Sequence, residues 1–208
     1  MKRIIHPELL DHLDPSDCKA VRGRRDLAVI NRIMSNENWL IDQLKSLSIE
    51  VDTLIELGAG EGLLLTKIHH YFPNLRLIGC DFISRPEGLH KNINWIKGNF
   101  LEYINNMPIS SKTIIIANLV LHHFDKNQLE IMRIAFSEAS SFIIVEPYRS
   151  LGSLALAYSL FPFLGTVTRS DIITSIRAGF IEDELETIFR RKSLTSSCWL
   201  GGLRLHLI

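Results

Sequence analysis

From residue 51 to residue 147 the chain alternates short apolar runs with stretches in which apolar residues recur every three or four positions. The runs are "VDTLIELG", "LRLIGCD", "INWIKG", "TIIIANL" and "SFIIVEP". Between them, Leu64, Leu65, Ile68 and Phe72 mark one helix, and Leu129, Met132 and Phe136 another, the latter opened by a capping-box pattern from Asp125 to Gln128. A short apolar run bounded by turn residues suits a strand, whereas the three-to-four spacing suits a helix with one buried face. "TIIIANL" is almost unbroken in apolar side chains, as expected of a strand covered on both faces. Strands alternating with helices build a parallel sheet flanked on both sides, because each crossover needs a helix to return the chain.

Both ends depart from this alternation. At the start, Asp14 is expected to cap a helix, with Pro15 at its first position and Asp17 adding negative charge to its first turn. Leu27, Ile30 and Met34 continue that helix, and Trp39, Leu40, Leu44 and Leu47 predict a second. At the other end, "EDELETIFRRK" carries acids first and bases last, as the helix dipole favours. "LTSSCWLGGLRLHLI" then offers two strand-like runs around Gly201-Gly202, a tight antiparallel hairpin. The predicted fold is α/β and Rossmann-like: a mostly parallel sheet of seven strands with a C-terminal antiparallel hairpin and N-terminal helices.

Composition narrows the setting. The chain has 208 residues, no repeat and no low-complexity linker, which suits a single structural domain. Its 23 basic and 23 acidic side chains cancel, which gives no electrostatic reason to bind nucleic acid or an anionic membrane. Cys18, Cys80 and Cys198 form no CxxC pair, and no histidine–cysteine–carboxylate grouping has metal-ligand spacing, so neither a disulfide framework nor a metal is expected. There is no signal-peptide pattern, and "SLALAYSLFPFLG" (153–165) is too short to span a bilayer. A soluble cytoplasmic protein is expected, monomeric or homodimeric, with peripheral membrane contact through 153–165 as one use of that segment.

The loop "ELGAGEG" (56–62) follows the first strand, where an open α/β sheet binds its ligand. Dinucleotide enzymes use a similar loop, but their fingerprint places a third glycine where this chain has Leu63. Glu56 would repel a pyrophosphate, yet its carboxylate suits a cationic amino group such as that of S-adenosylmethionine. Asp81, ending the second strand, is placed to accept ribose hydroxyls and fits either cofactor.

These residues resemble the motifs of class I S-adenosylmethionine-dependent methyltransferases, from about residue 51 to the end. "ELGAGEG" looks like their first motif, "GCDF" their ribose-binding strand end, "KGNF" their adenine-side loop and "ANLVLHHF" their strand-four segment. The resemblance implies S-adenosyl-L-methionine as cofactor, held by Glu56, Gly58, Ala59, Gly60, Asp81, Phe82, Asn99, Phe100, Asn118 and Leu119. Asn99 stands where many relatives have Asp. Residues 1–50 would form a helical lid on a methyltransferase domain of residues 51–208, with Arg25 of the basic cluster Lys19, Arg22, Arg24 and Arg25 reaching the cofactor carboxylate. "RRDLAVINRIM" and "VTRSDIITSIRAGFIEDEL" further resemble the UbiE-type small-molecule subgroup, which implies an aromatic, quinol or polyketide-like acceptor methylated on oxygen or carbon.

His122 and His123, after strand four, are the candidate general bases, since histidine titrates near neutral pH. Glu146, in "EPYRS", is the next catalytic candidate. Arg149, Tyr158, Phe161 and Arg169 are candidate acceptor contacts, with Leu156 and Phe163 as further walls of an apolar pocket. The alternatives are a regulatory or scaffold protein that binds S-adenosylmethionine without chemistry, and a nicotinamide-dependent oxidoreductase, which Glu56 and Leu63 disfavour.

Overall fold

A computed structural model describes residues 1–14, 16–47 and 50–208. The apolar runs form β1 (Thr53–Leu57), β2 (Arg76–Asp81), β3 (Ile93–Lys97), β4 (Thr113–Asn118) and β5 (Ser141–Pro147), followed by β6 (Ser193–Trp199) and β7 (Gly202–Leu207). The helices are α1 (Cys18–Met34), α2 (Asn36–Lys45), α3 (Leu63–Tyr71), α4 (Phe100–Tyr103), α5 (Lys126–Ala135), α6 (Leu151–Leu160), α7 (Thr166–Ala178) and α8 (Glu184–Phe189). One seven-stranded sheet runs in the order β3-β2-β1-β4-β5-β7-β6. The first five strands are parallel, and β7 pairs antiparallel with both β5 and β6. The chain therefore has the predicted fold, including the closing hairpin.

Successive residues of β1 and β4 serve opposite faces, and both faces are dry. Ile55, Leu57, Ile115 and Ala117 pack with Phe136, Phe142 and Phe180 on one side. Leu54, Ile114 and Ile116 pack with Leu40, Leu65 and Ile68 on the other. Burial on two faces explains why these strands read as continuous apolar runs. Among the described residues, no helix is long and apolar enough to cross a membrane.

Three local expectations shift. The cap of α1 is Asp17, whose side chain accepts from the Lys19 amide at 2.7 Å, while Asp14 accepts from Ser16 in the preceding turn. Pro15 lies outside the described residues. The hairpin turns at Leu200-Gly201, both with positive φ (46° and 80°), and Gly202 already belongs to β7. A Cβ on Gly202 would meet Met34 at 2.8 Å, so this glycine serves close packing against α1 while its neighbour serves the turn. Segment 153–165, a possible membrane-resting stretch in sequence, is mostly α6 and a following single 3₁₀ turn.

Candidate active site

The order of the sheet reverses between β1 and β4, and the carboxyl ends of β3, β2, β1 and β4 line up along one edge. Such a switch point opens a crevice for ligand. Every residue expected to hold the cofactor, apart from Arg25, sits at one of these four strand ends. Gly58 has φ of +67°, and a Cβ there would lie 2.6 Å from Val120, so this residue must be glycine for the two loops of the crevice to touch. Gly60 also has positive φ (+52°), but nothing lies within 4 Å of where its Cβ would stand. Its amide donates to Asp81 Oδ2 at 2.7 Å, which ties the glycine loop to the end of β2.

Two acceptors in the crevice are buried without partners among the described residues: Glu56 Oε2 and Asn118 Oδ1. Glu56 is 3% exposed. Burial pushes its carboxyl well above the usual carboxylate range, and the charges of Glu37 and Asp81 add to the effect. A buried acceptor without a donor costs free energy until a ligand supplies one. Ala59 is buried, and its amide shares the Cys80 carbonyl with that of Gly58. Phe82 is 67% exposed beside Asp81, whereas Phe100 is a core residue against Phe124. Asn99 uses its Oδ1 to cap α4, accepting from Leu101 at 3.1 Å. Arg25 is exposed on α1, and among the described residues no hydrogen bond or ion pair joins it to the glycine loop.

Past Asn118 the backbone turns sharply: Leu119 has φ of +58°, rare for a branched residue. The next residues are held by Glu146, which is fully buried on β5. Its Oε1 accepts from the amides of Val120 (2.9 Å) and Leu121 (2.6 Å). Its Oε2 accepts from the His122 amide at 3.2 Å and from His122 Nδ1 at 2.8 Å. Glu146 is thus a positioning residue that sets the turn and one ring. On the far side of that ring, His122 Nε2 lies 3.4 Å from Glu8 Oε1. Burial alone would lower the His122 pKa, but bonding and charge from Glu146 and then Glu8 outweigh it, raising the pKa to about 9. His123, its ring centroid 4.2 Å from that of His122, is shifted down by partial burial and by the adjacent charge.

This turn floors a cavity of about 350 Å³, of which the sequence pointed to His122, His123, Leu119 and Leu156 but not to the remaining walls. Leu27, Ile30 and Met34 of α1 form one wall, and Leu156, Ala157 and Leu160 of α6 another. Ile172 and Ile176 of α7 close a third side, and Glu8, His122, His123, Asp171 and Ser175 gather at the polar end. Of the expected acceptor residues, Leu156 lines this space. Tyr158 and Phe161 stack on each other outside it, at 4.9 Å between centroids, and Phe163 is 76% exposed. Arg169 donates to the Leu164 carbonyl, and Arg149 is buried against Gly179, Met1 and Glu184.

Sequence reasoning missed Glu8, Asp171 and Ser175. Asp171 accepts from the amides of Leu9 and Leu10 at 2.8 and 3.0 Å, Ser175 donates to Glu8, and Arg3 donates to the carbonyls of His122 and Phe124. The first dozen residues are thereby strapped across the site. Glu8 and His122 are separated by 114 positions, beyond the reach of any local pattern.

No family model matches the sequence, and no curated protein matches it either. Solved structures do resemble it. The plantazolicin methyltransferase BamL, in complex with a triazolic desmethylPZN analog and SAH, is 18% identical with a TM-score of 0.66, over 86% of this chain and 68% of that one. The plantazolicin methyltransferase BpumL in complex with SAH is 17% identical with a TM-score of 0.63, over 83% and 69%. The pyocyanin biosynthetic protein PhzM is 13% identical with a TM-score of 0.65, over 97% of this chain and 61% of that one. At such identities the likeness is one of architecture: the chain has the class I methyltransferase fold.

Proposed function

We propose that this protein is an S-adenosylmethionine-dependent methyltransferase that methylates a hydroxyl on a small, largely apolar acceptor of aromatic, quinol or polyketide type. The observation that carries the reading is the apolar cavity whose polar end is the His122–His123 turn, directly after the cofactor crevice at the end of β4. Neighbours crystallised with SAH, the demethylated product, agree with it. So does the crevice, where Glu56 Oε2 and Asn118 Oδ1 are acceptors awaiting a donor and Gly60 leaves open space. Glu56 would receive the cofactor's amino group, Asp81 the ribose hydroxyls, and Phe82 and Asn99 would border the adenine. When bound, the cofactor supplies a methyl group already activated on sulfonium.

The chain's own work is then alignment, exclusion of water and removal of one proton. Alignment by the cavity walls can supply about 7–11 kcal/mol of the barrier. Both ring nitrogens of His122 face carboxylates and His123 lines the cavity, which supports His123 as the base that would take the proton from the acceptor hydroxyl. The finer UbiE-type reading belongs to the same proposal. Its two segments, 24–34 and 167–185, supply the latter part of α1 and most of α7, which pack on each other and both line the cavity. In this reading residues 1–50 act as the lid. A scaffold that merely binds the cofactor has no use for such a cavity.

Calorimetry with S-adenosylmethionine, SAH and NADH tests the cofactor, and mass spectrometry after incubation with a panel of phenols and quinols tests the acceptor. Binding of NADH with no response to either sulfur compound would end the proposal.

A further inference from the structure

We propose that Glu8, His122 and His123 form a binding site for one divalent transition-metal ion of the zinc class, and that occupancy inhibits methyl transfer by engaging His123. The inhibitory half rests on the reading of His123 as proton acceptor; the site itself does not. One ligand atom from each residue falls within 4.8 Å of the other two. Two imidazoles and one carboxylate are a ligand set that suits zinc, cobalt or nickel better than the hard cations calcium and magnesium.

The geometry of His122 fits a metal site as well as the ion pair it makes with Glu8 in the absence of an ion. Its Nδ1 lies 2.8 Å from Glu146, a normal charge-assisted bond, but its Nε2 lies 3.4 Å from Glu8. Such bonds usually measure about 2.7–2.9 Å, so the second contact is long. It does match the edge of a tetrahedron with metal–ligand bonds of about 2.0–2.1 Å, which is roughly 3.4 Å. Metal-binding histidines characteristically give their other ring nitrogen to a carboxylate that fixes the ring. Glu146 does this here, itself locked by three backbone amides. Ser175 donates to Glu8 Oε1, the oxygen that faces His122.

His123 completes the set. Its ring is solvent-accessible and has no hydrogen bond among the described residues, so a small side-chain rotation brings its nitrogen into the coordination sphere. Water would complete the coordination of an ion held by three protein ligands. Once the ion holds the His123 lone pair, that nitrogen can no longer receive a proton, and methyl transfer that depends on it stops.

The test uses the full chain, stripped with a chelator and freed of any affinity tag. Cobalt(II) is titrated while its visible absorption is followed, and zinc affinity is read by competition with a chromophoric chelator. One ion per chain is expected, with tetrahedral or five-coordinate cobalt bands. Glu8→Gln and His123→Ala should each weaken binding by at least about tenfold, and Glu146→Gln by about 10–100-fold as an orienting partner. SAH affinity should be unchanged in the Glu8 and His123 variants, which certifies their folding. Absence of cobalt bands in the wild-type chain, or variants that bind as tightly as wild type, overturns the site. Turnover that rises with zinc overturns the inhibitory role. A chain that binds cobalt but not SAH keeps the metal site and refutes the methyltransferase reading instead.

Discussion

Glu146 and His122 meet at 2.8 Å in the protein interior, and the same carboxylate accepts the amides of Val120, Leu121 and His122. One side chain on β5 therefore fixes both the backbone path after β4 and the ring that follows. Removing it orphans two buried amides, a partly buried one and the buried ring. Glu146→Ala should cost about 3–5 kcal/mol, as expected for breaking a buried charged pair. At about 2–4 °C per kcal/mol for a chain of this size, the melting temperature would fall by roughly 10 °C. Glu146→Gln keeps an acceptor and the side-chain shape, so it should lose less. Thermal melts of both variants check this, and an alanine variant that melts with the wild type would refute it.

Glu56 carries a second prediction, one that turns on pH. Its folded-state pKa is raised by burial and by Glu37 and Asp81. A raised carboxyl pKa means the unfolded chain releases this proton first, so its contribution to stability is full below the unfolded pKa and is lost as pH climbs toward the folded value. Glu56→Gln should therefore make the ligand-free protein more stable at neutral pH, because it removes a carboxyl whose ionisation burial opposes. The same change should weaken SAH binding about 10–100-fold, the worth of a hydrogen bond to a charged group. In the wild type, affinity should rise with pH through the Glu56 titration, with proton release that calorimetry in two buffers can count. Affinity flat with pH and no released proton would contradict it.

The two glycines of the loop should fail differently. Gly58→Ala combines a positive φ with a contact of 2.6 Å to Val120, and should cost about 2–4 kcal/mol. Gly60→Ala meets no neighbour, and its stability cost should be about 1–2 kcal/mol. Its main effect should fall on cofactor affinity, because the added methyl occupies the open side of the loop. Adding Val120→Ala should recover part of the Gly58→Ala loss and none of the Gly60→Ala loss, which a double-mutant cycle in urea reads directly.

Ile30 lines the cavity from α1 and belongs to neither the crevice nor the turn. Ile30→Trp should fill that space and lower kcat/KM for the acceptor by more than about tenfold, with SAH affinity unchanged. Equal loss of both would mean that the cavity and the crevice are one site.

The five parallel strands and the capping box of α5 were legible because burial on two faces and a cap each leave a local signature. The helix α6 was not, since its residues are apolar nearly all round and show no period to distinguish wall from surface. For the same reason Leu156 and Tyr158, two positions apart, were grouped, though only Leu156 faces the cavity. The residues expected at the cofactor share one edge because their motifs each follow the carboxyl end of one of four neighbouring strands. Glu8, Asp171 and Ser175 meet through tertiary folding alone, and nothing beside them in sequence announces it.

Arg3 reaches the carbonyls of His122, Phe124 and Ala178, and its guanidinium rests 4.4 Å from the centre of the Phe180 ring. Every one of these partners is made more than a hundred residues later on the ribosome. The opening segment must wait, unseated, until α7 has emerged, because non-local contacts bring no reward before the chain between them exists. The segment that fastens the Leu121–Phe124 turn is thus synthesised before it and seated after it, once α7 has emerged.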